Sequence, residues 1–216
     1  MDKKYAIFDM DGTLVDSMPY WRGLADEYLA GKGVEYIPPN TMDRIKHRHM
    51  TEAAAILVDL FHLNCTPETV MNEMTEVMRV HYARDVQVKA GIVEYLEALK
   101  AKGVQMCVAT ATAIPLVEVC LDRLDLRKYF EGLFSCQTIR VNKEHPDIYD
   151  EAAEFMGAER KDCAVYEDAF MAVRTAKEAG YYVAGIYDCM GRAQWEDVQK
   201  TADELITDWH KAAEAL

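Results

Sequence analysis

The chain has 216 residues, half of them apolar, and a formal net charge of −13. That length supports one well-buried core with a smaller insertion rather than two equal domains. The acidic balance argues against nucleic acid and anionic membrane surfaces as partners. It leaves room for a phosphorylated metabolite, whose charge a local cation and a lysine can meet.

The first expected strand covers residues 4–8 and runs straight into Asp9-Met10-Asp11-Gly12-Thr13. Strand side chains alternate, so Asp9 and Asp11 are expected on one side of the strand's carboxyl end. Two carboxylates there are costly unless a cation lies between them or one keeps a proton. Gly12 permits a sharp turn, and Thr13 can bond backbone or a bound anion.

Residues 19–83 then read as helical throughout. Trp21, Leu24, Ala25, Tyr28 and Leu29 share one face behind Pro19. Ile56, Leu57, Leu60 and Phe61 make a second stripe. Val70, Met71, Met74, Val77, Met78 and His81 make a third, started by Thr66-Pro67-Glu68. The methionine-rich stripe is read as helix packing.

From residue 90 the pattern alternates. Helices are expected near 92–99, 116–126, 147–156 and 169–179, and strands near 104–109, 133–136, 163–166 and 181–186. Near-continuous apolar strands between helices indicate a parallel sheet covered on both faces. The expected architecture is a doubly wound α/β core over residues 1–15 and 88–216, with an all-helical insertion over 16–87. Such an insertion would make a lid over the strand carboxyl ends, where doubly wound sheets bind ligands.

Six cysteines stand singly at 65, 107, 120, 136, 163 and 189. No Cys-x-x-Cys pair suggests zinc or redox chemistry, and single thiols suit a reducing compartment. Cys107, Cys120 and Cys163 fall in apolar runs and are read as buried. No apolar run approaches membrane-spanning length and no signal peptide is read, so a cytoplasmic protein is expected.

Three later segments carry polar residues at expected strand ends. Thr110-Ala111-Thr112 offers hydroxyls and N–H groups at a helix start, a place that suits phosphate oxygens, although threonine often merely caps a helix. Lys143 precedes Pro146-Asp147-Ile148-Tyr149. Glu167-Asp168 closes the run Cys163-Ala164-Val165-Tyr166, where two acids could equally open an ordinary helix.

Asp9-Met10-Asp11-Gly12-Thr13-Leu14-Val15-Asp16-Ser17 and these three segments, in this order, resemble the four motifs of the haloacid-dehalogenase-like phosphotransferases. The form resembles the beta-phosphoglucomutase-like branch. The stretch around Lys143 is similar to the family's Lys-Pro-x-Pro-Asp-Ile-Phe, with Glu144 where the family has its first proline.

The resemblance implies a Rossmann-like core with a helical cap, and an enzyme that uses Mg²⁺. Asp9 and Asp168 would hold the metal through carboxylates and Asp11 through its backbone carbonyl, with Glu167 behind them or acting through water. Asp9 would attack phosphorus and form an aspartyl-phosphate. Asp11 would protonate the leaving oxygen and then activate water. Thr110, the Ala111 amide and Lys143 would hold the transferring oxygens, with Lys143 also pairing Asp9.

The function so implied is a phosphatase of small phosphorylated metabolites, foremost a sugar phosphate. A hexose-phosphate mutase shares all four motifs and stays open. So does a non-catalytic binding or regulatory protein that kept the fold. Mutases of this branch follow the second motif with Lys-Asn, where this chain has Ala113-Ile114-Pro115. Trp21, Lys46, His47, Arg48 and His49 are candidate substrate contacts, although residues 46–49 could equally be a solvated helix end. His145 is read as a variable position rather than a substrate contact. A monomer is expected, because no association motif is evident.

Overall fold

The computed structural model describes residues 2–45 and 50–216; Lys46, His47, Arg48 and His49 lie outside the described residues. The chain forms two compact units, Met1–Ser17 with Val86–Leu216, and Met18–Asp85.

The first unit is built on six parallel strands in the order β3-β2-β1-β4-β5-β6. They are β1 (Tyr5–Phe8), β2 (Gln105–Thr110), β3 (Gly132–Ser135), β4 (Cys163–Glu167), β5 (Tyr182–Ile186) and β6 (Glu204–Ile206). Ala6, Ile7 and Phe8 are wholly buried, as are Cys107, Val108, Ala109, Ala164, Val165 and Val183. Strands apolar on both faces need cover on both faces, which is the parallel-sheet pattern. Cover comes from α5 (Ile92–Ala101), α6 (Ile114–Arg123), α8 (Asp147–Phe155), α9 (Phe170–Glu178), α10 (Trp195–Thr201) and α11 (Trp209–Glu214), with a single turn, α7 (Cys136–Ile139), after β3.

The chain builds outward from β1 through β2 to β3, then returns to place β4 on the other side of β1. At such a reversal the loops after neighbouring strands diverge and leave a crevice at their carboxyl ends. The strand register sets Phe8 beside Val108 and Tyr166, so Asp9, Thr110 and Glu167 end neighbouring strands at that crevice.

The sixth strand was not expected from the sequence. It is three residues long at the sheet edge, and Leu205 points to solvent, 42% exposed. A strand this short carries no period to read. Beyond it Trp209 is buried against Tyr95 and Tyr166, at ring-centroid distances of 4.9 and 6.2 Å.

The second unit holds α1 (Met18–Gly31), α2 (Thr41–Ile45), α3 (Met50–Phe61) and α4 (Pro67–Arg84). The helical stretch expected over 19–83 is divided into these four helices, the last starting at the expected Thr66-Pro67-Glu68 signal. Gly33 at φ 79° and the pair Pro38-Pro39 separate α1 from α2. His62 at φ 49° ends α3, and Thr66 Oγ1 accepts from the Thr69 amide at 3.2 Å to cap α4.

Leu24, Ala25, Tyr28 and Leu29 form the buried face of α1, with Trp21 partly covered. On α4 the buried line is Val70, Met74, Met78 and Tyr82, spaced by four. On α3 the buried residues are Ala53, Ala54 and Leu57, while Ile56, Leu60 and Phe61 are only partly covered. Leu57 and the two small alanines make the buried face there.

Where the chain leaves and re-enters the α/β unit, the two crossings pair. The Asp16 amide donates to Gln87 O at 2.9 Å, the Lys89 amide to Leu14 O at 3.0 Å, and Val15 bridges Val88 antiparallel. These bonds keep residues 16, 17, 86 and 87 with the α/β unit.

Candidate active site

Asp9 follows β1 directly. Its amide still donates to Tyr166 O at 3.0 Å, which continues the ladder and carries its side chain inward, 5% exposed. Met10 then starts a tight turn in which its carbonyl accepts from the Leu14 and Val15 amides at 2.9 and 3.1 Å. Gly12 sits at φ 86°, the left-handed region where a Cβ is strained. The ladder has ended by Asp11, so tertiary partners rather than strand alternation hold that side chain. Ser17 Oγ donates to its Oδ1 at 2.6 Å and Thr112 Oγ1 to its Oδ2 at 2.7 Å. The Thr13 hydroxyl is wholly buried and has no hydrogen-bond partner among the described residues.

Lys143 is buried and bridges two acids, donating to Asp9 Oδ1 and to Glu167 Oε1. Burial works against its charge, yet the two carboxylates outweigh it and raise its pKa above the usual lysine value. Glu144 does not compete for it. That side chain is exposed and bonded to Asn142, whose Nδ2 donates to Glu144 Oε2 at 3.1 Å. His145 beside it is exposed.

Carboxylate oxygens of Asp9, Glu167 and Asp168 lie within 4.8 Å of one another. Burial, opposed by Lys143 and reinforced by Glu167, Asp168 and Asp11, holds the Asp9 carboxyl well above its ordinary range. Burial first, then Glu167 and Asp188, pushes the Asp168 carboxyl up to about 8. One ammonium does not balance this many acids. A close oxygen-only donor set with surplus negative charge suits a small hard divalent cation. The residues present therefore fit Mg²⁺.

Thr110, the last residue of β2, is 1% exposed, and its Oγ1 accepts from the Thr112 amide at 3.1 Å. That bond folds residues 110–112 into a tight turn ahead of α6. Ala111 lies exposed at its tip, its carbonyl accepting from Gln137 Nε2 at 3.5 Å.

Several contributors had no role in the sequence reading. Ser17 and Thr112 both hold Asp11, and Thr112 lies 101 positions away from it. Tyr149 reaches Glu167 Oε1 at 2.7 Å. Lys89 donates to Asp16 Oδ1 and Asp188 Oδ2, each at 2.7 Å, and so ties the returning crossing to the loop after β5. Only the Thr-x-Thr spacing hinted at any of these.

Strand order, the polar residues at neighbouring strand ends and the acid–lysine cluster define a class, a doubly wound α/β protein with an inserted helical unit and an acidic centre at its strand ends. A model of the haloacid dehalogenase-like hydrolases matches residues 3–180, and the chain belongs to that family. It is 28% identical over 182 residues to the fructose-1-phosphate phosphatase of Escherichia coli strain K12, covering 83% of this chain and 95% of that protein. It is 30% identical over 181 residues to a phosphorylated carbohydrates phosphatase of Thermotoga maritima, covering 81% and 80%. The structure of a beta-phosphoglucomutase-like protein of Thermotoga maritima shares the fold, with a TM-score of 0.82, 24% identity and 99% coverage of both chains.

Proposed function

We propose that this hydrolase is a Mg²⁺-dependent phosphatase of small phosphorylated sugars that works through a phosphorylated Asp9. The observation that carries this reading is the meeting of Asp9, Glu167 and Asp168 around one buried lysine. The relatives that act on fructose 1-phosphate and phosphorylated carbohydrates support the substrate class.

Phosphate monoesters resist attack because their oxygens repel nucleophiles, so a catalyst must neutralise charge, align the nucleophile and protonate the leaving oxygen. Asp9 attacks phosphorus through a carboxylate oxygen. Lys143 lies against Asp9 and neutralises the oxygens that gather charge. The Thr110 hydroxyl and the Ala111 amide orient them. Asp11, held by Ser17 and Thr112, gives its proton to the leaving sugar oxygen and later takes one from the water that cleaves the acyl phosphate. Mg²⁺, held by the Asp9 and Asp168 carboxylates and the Asp11 carbonyl with Glu167 behind them, would supply further neutralisation of the phosphate oxygens.

The helical unit, Met18–Asp85, is assigned the choice of substrate as a cap. Its insertion point six residues after Asp11, and the pairing of the two crossings there, support that role. Ala113-Ile114-Pro115 at the start of α6 offers neither charge nor amide side chain for a second phosphate, which favours hydrolysis over mutase chemistry. Among the described residues no helix is long and apolar enough to cross a membrane. The reading takes the protein as a cytoplasmic monomer.

The test is a panel of sugar monophosphates with and without EDTA. Inorganic phosphate should be released without a bisphosphate activator, stop on chelation and resume with Mg²⁺. Undiminished turnover after thorough chelation would sink the metal assignment. Interconversion of glucose 1- and 6-phosphate with little phosphate released would show a mutase.

A further inference from the structure

Tyr149 stands in the first turn of α8, wholly buried, and donates to Glu167 Oε1 at 2.7 Å. That oxygen also takes the Lys143 ammonium. Glu167 is itself 1% exposed, and among the described residues no hydrogen bond reaches its Oε2. Two donors on one oxygen prevent the carboxylate from turning about its last bond. With Oε1 so occupied, Oε2 is the oxygen left to face a cation at the group that Glu167 forms with Asp9 and Asp168.

The hydroxyl has a second consequence. A buried carboxylate needs donors to offset its lost hydration, and each one that reaches it lessens the need for the others. Here Tyr149 meets part of the need, so Lys143 can remain shared with Asp9. The ring is fixed independently: it packs edge-on against Tyr181 at 6.0 Å, and the Lys143 ammonium lies 6.0 Å from its centroid.

We infer that Tyr149 is a positioning residue, whose hydroxyl orients Glu167 toward the cation and keeps Lys143 on the nucleophile. The inference rests on the functional reading above: its rate arm on the phosphatase activity, its binding arm on the Mg²⁺ site alone. Tyr149→Phe removes the hydroxyl and keeps the ring. Partners of metal-site carboxylates set both metal affinity and rate, with effects of about tenfold or more.

Mg²⁺ is titrated calorimetrically into the metal-free full chain as parent, Tyr149→Phe, Glu167→Gln and the double variant. Steady-state rates on a sugar phosphate are measured alongside. Tyr149→Phe should weaken Mg²⁺ binding by about tenfold and lower kcat by a similar factor, with KM for the sugar phosphate within about twofold. In the Glu167→Gln background the same change should add less than about twofold, because residues acting through one another are not additive.

Mg²⁺ affinity and kcat within twofold of the parent in Tyr149→Phe would overturn the inference. So would an undiminished effect in the Glu167→Gln background, which is what a purely structural tyrosine gives. A parent that binds Mg²⁺ but releases no phosphate refutes the phosphatase reading, while calorimetry still decides on Tyr149. A parent that binds no Mg²⁺ overturns the inference too.

Discussion

The two units of this chain are built on opposite terms. In the α/β unit, polar groups lie deep: Asp9, Lys143, Glu167 and Asp188 are all buried, with Ser17, Thr110 and Thr112 around them. In the helical unit, Thr41 is the one buried polar residue among those described. Its ion pairs sit at the surface, as with Glu73, which takes Lys32 and the Tyr28 hydroxyl, each at 2.7 Å. Burying charge is costly and is sustained only where partners are arranged. The α/β unit bears that cost at its strand ends, while the helical unit rests on apolar stripes and weak exposed pairs. Under the proposed function the chemistry is assigned to the first unit and the choice of substrate to the second.

The comparison is broken most directly at Asp9. Asp9→Asn should lower phosphate release by at least about a thousandfold and abolish the acid-stable phosphoenzyme. Phosphate trapped on another residue would move the chemistry away from β1.

Next in size is Lys143→Ala. Removing one preorganised electrostatic donor costs on the order of a hundredfold in kcat. A loss below about threefold, measured under saturating substrate, would mean that the buried lysine serves only the fold.

A third experiment uses the surplus acids. The Asp168 carboxyl is pushed from 3.8 up to about 8, so between those values the folded chain keeps a proton the unfolded chain has released. Stability of the metal-free protein should accordingly fall as pH rises through that window. Saturating Mg²⁺ should flatten the fall, because it favours the ionised carboxylates. Melting curves from pH 5 to 8, in EDTA and in Mg²⁺, give the answer, and identical slopes would contradict it.

The smallest effect is expected in the helical unit, at His81. Its ring nitrogens lie 2.8 Å from Glu27 Oε2 and Asp85 Oδ2. Burial lowers its pKa, but the bonds to these two acids outweigh it and raise it above 6.5. The stabilisation is complete below 6.5 and is lost as pH rises through the raised value. His81→Ala should cost about 1 kcal/mol at pH 5.5, less at pH 9, and leave kcat unchanged. A large fall in kcat would erase the division of labour between the units.

The core strands and their helices were legible because an apolar run between turn signals leaves little choice. The edge strand Glu204–Ile206 was not, since three residues carry no period. The helix start at Thr66 was legible from its capping signal, while the break at Gly33 was not, because the apolar faces of α1 and the later helices do not mark where one helix stops.

The sequence by itself determined the order of the chemical residues and the α/β class, because strand apolarity and the Asp-x-Asp turn are local properties. Only the tertiary structure decided that Lys143 is shared between Asp9 and Glu167, 134 and 24 positions away, that Ser17 and Thr112 grip Asp11, and that Tyr149 completes Glu167. Each of these contacts satisfies a charge where parallel strands end side by side. Which strands adjoin is set by packing in three dimensions, which no window of the chain contains.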